Sequence, residues 1–285
     1  MEDRKTGTLS LVATPIGNLE DISFRAIKTL EKSDFIAAED TRHTLKLLNH
    51  YDIKKPLISY FEHNKKQRGE ALIRLLQEGA NIALVTDAGS PGISDPGEDI
   101  VKLAIQNNIL VTMVPGPTAS IMGLVLSGLS CDRFCFEGFL PHDRKARRKR
   151  LEMLETEERT IIFYLSPHRT LEVLGDVQDA LGNRTCAICR ELTKKHEEIL
   201  RGTIEEMITE LSERESIKGE MVLIVEGNLN AFKEDKDKWL SMSIEDHMKL
   251  YLESGLSTKE AMKRVALDRG TSKRDIYSQY CIRKE

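Results

Sequence analysis

The stretch from Ile82 to Gly97 constrains this chain more than any other. Ile82-Ala83-Leu84-Val85 is an uninterrupted apolar run, which predicts a buried strand. Thr86-Asp87-Ala88-Gly89-Ser90-Pro91-Gly92-Ile93-Ser94-Asp95-Pro96-Gly97 follows, and then a helical pattern with Ile100, Leu103 and Ala104 on one face. A long loop of Gly, Pro, Ser and Asp between a strand and a helix is more than a connector needs. Glycines let backbone approach a ligand, and prolines stiffen the approach. In open α/β sheets ligands bind beyond the carboxyl ends of the strands. The plainer alternative is a crossover with Ser94 or Asp95 capping a helix that opens at Pro96. It accounts for the last four residues and leaves the first eight unexplained.

The same design recurs along the first half. Leu9–Ala13 reads as a strand followed by Thr14-Pro15-Ile16-Gly17-Asn18, and Phe35–Ala38 as a strand followed by Glu39-Asp40-Thr41-Arg42. Ile109–Val114 is followed by Pro115-Gly116-Pro117-Thr118. Alternating strands and helices predict a parallel sheet with these loops on one rim. From Asp132 a second α/β region follows. Glu197–Gly202 there is placed to pair antiparallel with Thr185–Arg190, which makes a mixed sheet. The divisions are 1–130, 131–228 and, past a polar linker at 228–238, a helical module at 240–285. Its turns at Gly255–Ala261 and Gly270–Asp275 resemble helix-turn-helix joints, with Lys273, Arg274 and Arg283 near the last helix. A docking or dimer module and RNA contact are both open for it.

Several chemistries are excluded. There is no G-x-G-x-x-G after the first strand, no G-x-x-x-x-G-K-[ST], no H-E-x-x-H and no G-x-S-x-G. Cys186 and Cys189 have metal-ligand spacing, but no second Cys or His pair sits at finger spacing and an odd total of five argues against disulfides. Buried thiols are the better reading, and no metal is expected. No apolar run is long enough for a membrane span, and Met1–Lys5 leads into no signal-peptide core, so a cytoplasmic protein is expected. A net charge of −4 carries no global nucleic-acid signature, so any RNA surface is local. The run Asp143-Arg144-Lys145-Ala146-Arg147-Arg148-Lys149-Arg150 is one such patch. A solvated helix face and a phosphate clamp both fit it.

Together these residues resemble a family. Val12–Asp21, Ala38–Arg42, Asp87–Gly97 and Val114–Ala119 are similar to the motifs of the tetrapyrrole methylase superfamily. Glu137–Pro141, Phe163–Arg169 and Arg190–Lys194 narrow the resemblance to its branch of ribosomal RNA methyltransferases acting on a cytidine 2′-oxygen. One departure stands at Leu165-Ser166, where that pattern has an acidic residue after the tyrosine. The resemblance implies two unlike α/β domains with the methyl donor, S-adenosylmethionine, in the cleft between them. It implies a substrate in the decoding region of small-subunit ribosomal RNA, and a homodimer. It maps donor contacts onto Pro15, Gly89, Ser90, Pro91, Ile93, Thr118, Ala119, Tyr164 and Ser166. It favours RNA contact for Arg144, Lys145, Arg147, Arg148, Lys149 and Arg150. His168, Arg169, Arg190 and Lys194 are further phosphate candidates.

A ribose hydroxyl needs its proton removed or shared before it attacks. Glu39, Asp40 and Arg42, at a strand end, are the catalytic candidates, with a helix cap plus ion pair as the plainer alternative. The rival readings are a small-molecule tetrapyrrole C-methylase and a non-catalytic RNA-binding assembly factor. The segment Thr118–Gly128 is apolar nearly all round. It fits burial within one chain or against a twofold mate.

Overall fold

The computed structural model describes residues 6–228 and 239–281. Most of the 228–238 linker, the first five residues and Arg283 lie outside the described residues. The chain divides into two compact units. The first contains both sheets, and the second contains Met153–Arg159 with Glu226–Glu285.

In the first unit, β1 (Thr8–Val12), β2 (Phe35–Ala38), β3 (Leu57–Ser59), β4 (Ile82–Val85) and β5 (Leu110–Val114) form one sheet in the order β3-β2-β4-β1-β5. All pairings are parallel. All four residues of β4 are buried, as a central strand covered on both faces requires. Helices α1 (Phe24–Lys32), α2 (Thr41–His50), α3 (Lys65–Gln77) and α4 (Gly97–Gln106) accompany it. Two apolar clusters, one including Leu9, Leu84 and Ile100 and the other Val12, Leu30 and Val85, make up its core.

The second sheet comprises β6 (Phe134–Phe139), β7 (Thr160–Leu165), β8 (Thr185–Arg190), β9 (Glu198–Thr203) and β10 (Met221–Val225), in the order β6-β7-β10-β8-β9. Only β6 and β7 run parallel; β10 is antiparallel to both its neighbours, and β9 to β8. The expected mixed sheet is present. Helices α6 (Arg144–Glu152), α7 (Thr170–Leu181) and α8 (Ile204–Ser212) belong to this half. Helix α5 (Ala119–Ser127) comes from the first half in sequence and packs on the second sheet. A Cβ at Gly123 would stand 3.1 Å from Ile224 Cδ1 and 3.3 Å from Val222 Cβ, so the glycine allows this close approach. Helix α5 is not buried all round, because Ile121 and Val125 stay 46% and 63% exposed.

The second unit contains α9 (Ile244–Glu253), α10 (Thr258–Asp268) and α11 (Lys273–Cys281). Met248, Met262, Val265 and Ile276 form its core. Ser257 and Glu260 close a capping box that starts α10 at the expected place. The N–H of Asn228 donates to the carbonyl of Glu157 at 2.6 Å, tying the segment before the linker to Met153–Arg159. No helix among the described residues is long and apolar enough to cross a membrane.

Candidate active site

Strand order selects the site. The first-sheet connections leave β1 and β4 in opposite directions, so their carboxyl ends flank a crevice. The loops after these two strands are joined there by an isolated bridge between Thr14 and Gly89. Thr14 Oγ1 also donates to the Thr86 carbonyl at 3.2 Å. Gly89 at φ +82° and Gly92 at φ +90° take the left-handed backbone that the loop needs. Asp95 holds the far side of the loop by accepting from the N–H groups of Gly92 and Gly97 at 2.8–2.9 Å. Helix α4 opens after Pro96, and Ser94 is itself left-handed at φ 66°, so Asp95 anchors that turn.

The second sheet supplies the opposite wall. Because β10 runs against β7 and β8, the start of β10 shares a rim with their ends; Met221 pairs with Leu165 and with Arg190. Tyr164, Leu165, Cys189, Met221 and Val222 therefore face the Asp87–Asp95 loop across one cleft, of about 320 Å³. That is within the size range of small-molecule sites. Tyr164 is braced by Phe136 and Phe139, with ring centroids 5.0 and 5.4 Å away.

The cleft carries both polar and apolar partners. Hydroxyls of Thr86, Ser90, Ser94 and Thr118 line it, with the carboxylates Glu39, Asp87 and Asp95 and the apolar Ile16, Ile93 and Phe139. Ser90 Oγ and Thr118 Oγ1 are 3.0 Å apart and share one hydrogen bond. Thr86 Oγ1 donates to Glu39 Oε2 at 3.1 Å. Burial raises the Glu39 carboxyl above its ordinary value, against the Thr86 hydrogen bond, and Asp87, Asp95 and Asp40 push it the same way.

The expected donor contacts Gly89, Ser90, Ile93, Thr118, Ala119 and Tyr164 are brought together in this cleft. Pro15 lines an adjoining cavity instead. Pro91, which is buried, and Ser166, whose carbonyl accepts from Thr170 Oγ1 at 3.0 Å, line neither space. Of the catalytic candidates, only Glu39 lines the cleft. Asp40 is the N-cap of α2: its Oδ1 accepts from the Arg42 N–H at 2.8 Å, and the Arg42 side chain returns to it at 2.9 Å. These hydrogen bonds lower the Asp40 carboxyl to about 2. For Asp40 and Arg42 the structure forms the helix cap and ion pair given as the plainer alternative.

The basic run needs one firm correction. Arg147 is fully buried. It bonds Asp176, Glu172 and the carbonyls of Pro141 and His142, which leaves no face for a phosphate. Arg144 pairs with Asp176, Arg150 with Glu137 and Arg148 with Asp179. Lys145 and Lys149 are exposed and make no ion pair among the described residues. Arg169 bonds the Pro141 carbonyl and meets His142, whereas His168 is exposed. Arg190 pairs with Glu198, and Lys194 with Glu191 and Glu220. Cys186 and Cys189 are buried, and burial raises their thiols to about 12 and about 11. No cluster among the described residues is set to hold a metal.

This fold, with its glycine-rich strand-end loop facing a second sheet, defines a class. The sequence profile of the tetrapyrrole (corrin/porphyrin) methylases matches residues 8–208, and the chain belongs to that family, whose methyl donor is S-adenosylmethionine. The relatives that match nearly end to end are narrower in name. Ribosomal RNA small subunit methyltransferase I of Halalkalibacterium halodurans is 53% identical over 274 residues, 96% of this chain and 94% of that protein. The protein of the same name from Bacillus subtilis is 47% identical over 279 residues, 98% of this chain and 95% of its own. Among solved structures, the Thermus thermophilus uroporphyrin-III C-methyltransferase complexed with S-adenosylhomocysteine superposes with a TM-score of 0.54. It is 15% identical and covers 76% of this chain and 96% of its own, a likeness of fold.

The residues present fit the family's donor. A methionine ammonium and a sulfonium are cations, and Asp87 and Asp95 put carboxylates on the cleft wall. Thr86, Ser90 and Thr118 offer hydroxyls, and Ile16, Ile93 and Phe139 offer apolar surface, the two kinds of partner that a nucleoside requires.

Proposed function

We propose that this chain methylates the ribose 2′-hydroxyl of a cytidine in small-subunit ribosomal RNA, in the decoding region, and that it works as a cytoplasmic homodimer. The observation that carries the reading is the near end-to-end match, at 53% and 47% identity, to proteins named for small-subunit ribosomal RNA methylation. Cytidine, the 2′-oxygen and the decoding region rest on the motif resemblance. The donor supplies a methyl on a sulfonium, which leaves as a neutral thioether. The chain aligns the reactants, and alignment alone lowers such a barrier substantially. Gly89, Ser90, Ile93, Thr118, Ala119 and Tyr164 hold the donor. Glu39 accepts the hydroxyl proton, since it is the catalytic candidate on the cleft wall. Lys145, Arg148 and Lys149, exposed on α6, take RNA phosphates.

The test is transfer of labelled methyl from S-adenosylmethionine to small subunits, to deproteinised RNA and to a tetrapyrrole. The product is then mapped as an alkali-resistant dinucleotide. Label in 2′-O-methylcytidine of subunit RNA is the expected result. Label only in the tetrapyrrole would return the chain to the C-methylases.

A further inference from the structure

A second cavity, of about 450 Å³, backs onto the donor cleft. Ile16, Asp87, Ala88 and Glu220 line both spaces, so these four form a shared wall. The cavity also bears three basic side chains, His43, Lys46 and Lys194. His43 and Lys46 are three residues apart on α2, which puts them on one face of that helix. Both are exposed, and Lys46 makes no ion pair among the described residues.

Lys194 is held in place. Its Nζ donates to Glu191 Oε1 at 2.9 Å and to Glu220 Oε2 at 3.0 Å. The loop that carries it is strained: Glu191 and Thr193 have φ of 52° and 67°. A β-branched residue in that region is rare, and such strain concentrates at functional sites. The same loop grips the one after β1. Thr193 Oγ1 accepts from the Asn18 N–H at 3.0 Å. A Cβ on Gly17 would stand 2.4 Å from Lys194 Cγ and 2.7 Å from Thr193 Oγ1, so only glycine fits. The cation therefore sits at a built junction between the two sheets.

In-line displacement brings the acceptor oxygen to the methyl from the side opposite the sulfur, so donor and acceptor need adjoining spaces. We propose that this second cavity holds the acceptor nucleotide, with Lys46 and His43 on its phosphate, Lys194 beside its ribose, the 2′-hydroxyl turned across the shared wall into the donor cleft toward Glu39, and the buried Pro15, Ile16 and Leu47 against its base. The inference rests on the RNA-methylation reading. A single nucleotide in this space must leave its stack, as bases do when enzymes act on them singly.

The experiment measures methyl transfer to small subunits by the full chain and by Lys46→Glu, Lys194→Met and Lys194→Arg, with affinity for S-adenosylhomocysteine taken by calorimetry. Expected are a fall of at least about tenfold in kcat/KM for Lys46→Glu and Lys194→Met, carried by KM for Lys46→Glu. Donor affinity stays within about twofold. Lys194→Arg keeps the charge and recovers part of the loss, which separates charge from loop collapse. Wild-type activity with Lys46→Glu and Lys194→Met both unaffected overturns the acceptor site alone. A donor affinity weakened tenfold by Lys46→Glu overturns it too, by assigning the cavity to the donor. A wild-type chain that methylates neither subunits nor their RNA overturns the RNA reading, and the acceptor site falls with it.

Discussion

Thr14 and Gly89 exchange backbone hydrogen bonds in both directions, 2.9 Å from the Thr14 N–H to the Gly89 carbonyl and 3.1 Å in return. This pair closes the crevice between β1 and β4 and sets the loop that faces the second sheet. Its geometry depends on a glycine: Gly89 has φ +82°, and a Cβ there would already stand 3.3 Å from Ile16 Cγ2.

The first prediction follows directly. Gly89→Val forces a β-branched residue into left-handed backbone and pushes it toward Ile16. Donor affinity should fall at least about tenfold, roughly 1.4 kcal/mol, in a protein that still folds. Calorimetric titration with S-adenosylhomocysteine checks it, and a folded variant with wild-type affinity removes this loop from the donor site.

Glu39 offers a second test through pH. Its carboxyl is raised above the ordinary 4.5, chiefly by burial. A general base works only when deprotonated, so the single-turnover rate should climb with pH through a pKa above 4.5. Glu39→Gln should abolish that limb and slow the chemical step about 10²–10⁴-fold, with donor affinity kept. Stability moves the other way. An acid with a raised folded pKa binds more protons folded than unfolded, so it costs stability once pH passes that pKa. Glu39→Gln should therefore melt slightly higher than wild type at neutral pH and no higher below pH 4. An unchanged acid limb in the variant assigns the proton transfer elsewhere.

The parallel sheet and the Asp87–Gly97 loop were legible because β4 is apolar throughout and bounded by Gly and Pro. Strand β3 was not, because its three residues are only half-buried and show no period. The second-sheet wall was read in part. Tyr164 stands at the end of a strand, where a parallel sheet places ligand residues, whereas Glu220, Met221 and Val222 stand at the start of one. They reach the cleft because β10 is antiparallel to β7, a pairing that periodicity does not reveal. The burial of Arg147 is hidden in the sequence for a different reason. Counting charges ignores direction, yet Arg147 lies four residues before Leu151, also fully buried, and helical spacing puts both on the inner face of α6. Its partner Asp176 comes from α7, far away in sequence.

That correction separates two effects within one charge run. Lys145→Ala with Lys149→Ala should flatten the log–log salt dependence of RNA binding by roughly one to two units, as each lost phosphate contact removes somewhat under one. Arg147→Met should leave the slope alone and destabilise the fold by about 3–5 kcal/mol, because Asp176 is then buried without its main partner. Acid should act on the wild-type pair in a defined direction. Asp176 is held below its ordinary 3.8 by Arg147 and Arg144, against its own burial. Its stabilisation is complete above that ordinary value and is lost as pH falls through the lowered pKa. Denaturant melts at pH 7 and pH 3, beside filter binding across a salt series, test both halves.

The last prediction concerns assembly. Among the described residues, strand β5 pairs only with β1, and its other edge has no strand partner. It carries Leu110 at 64% and Met113 at 44% exposure, with no charged residue in the strand. Natural edge strands are usually short, charged or covered, and an uncharged apolar edge invites a partner. Helix α5, which follows β5, presents Ile121 and Val125 on one face four residues apart, while Gly123 and Leu124 pack it against the second sheet. Outward apolar residues on two successive elements suit a self-complementary interface about a twofold axis, where each copy covers the other. Wild-type protein at micromolar concentration should scatter with twice the 32.3 kDa chain mass. Val125→Asp places an unpaired carboxylate in that contact, and burying it uncompensated is costly enough to drive the equilibrium to monomer. The single chain should keep its donor affinity, because neither Val125 nor Met113 lines the donor cleft. Light scattering across a concentration series decides the matter: a wild-type mass near 32 kDa throughout, or an unchanged dimer in Val125→Asp together with Met113→Lys, moves the interface away from this face.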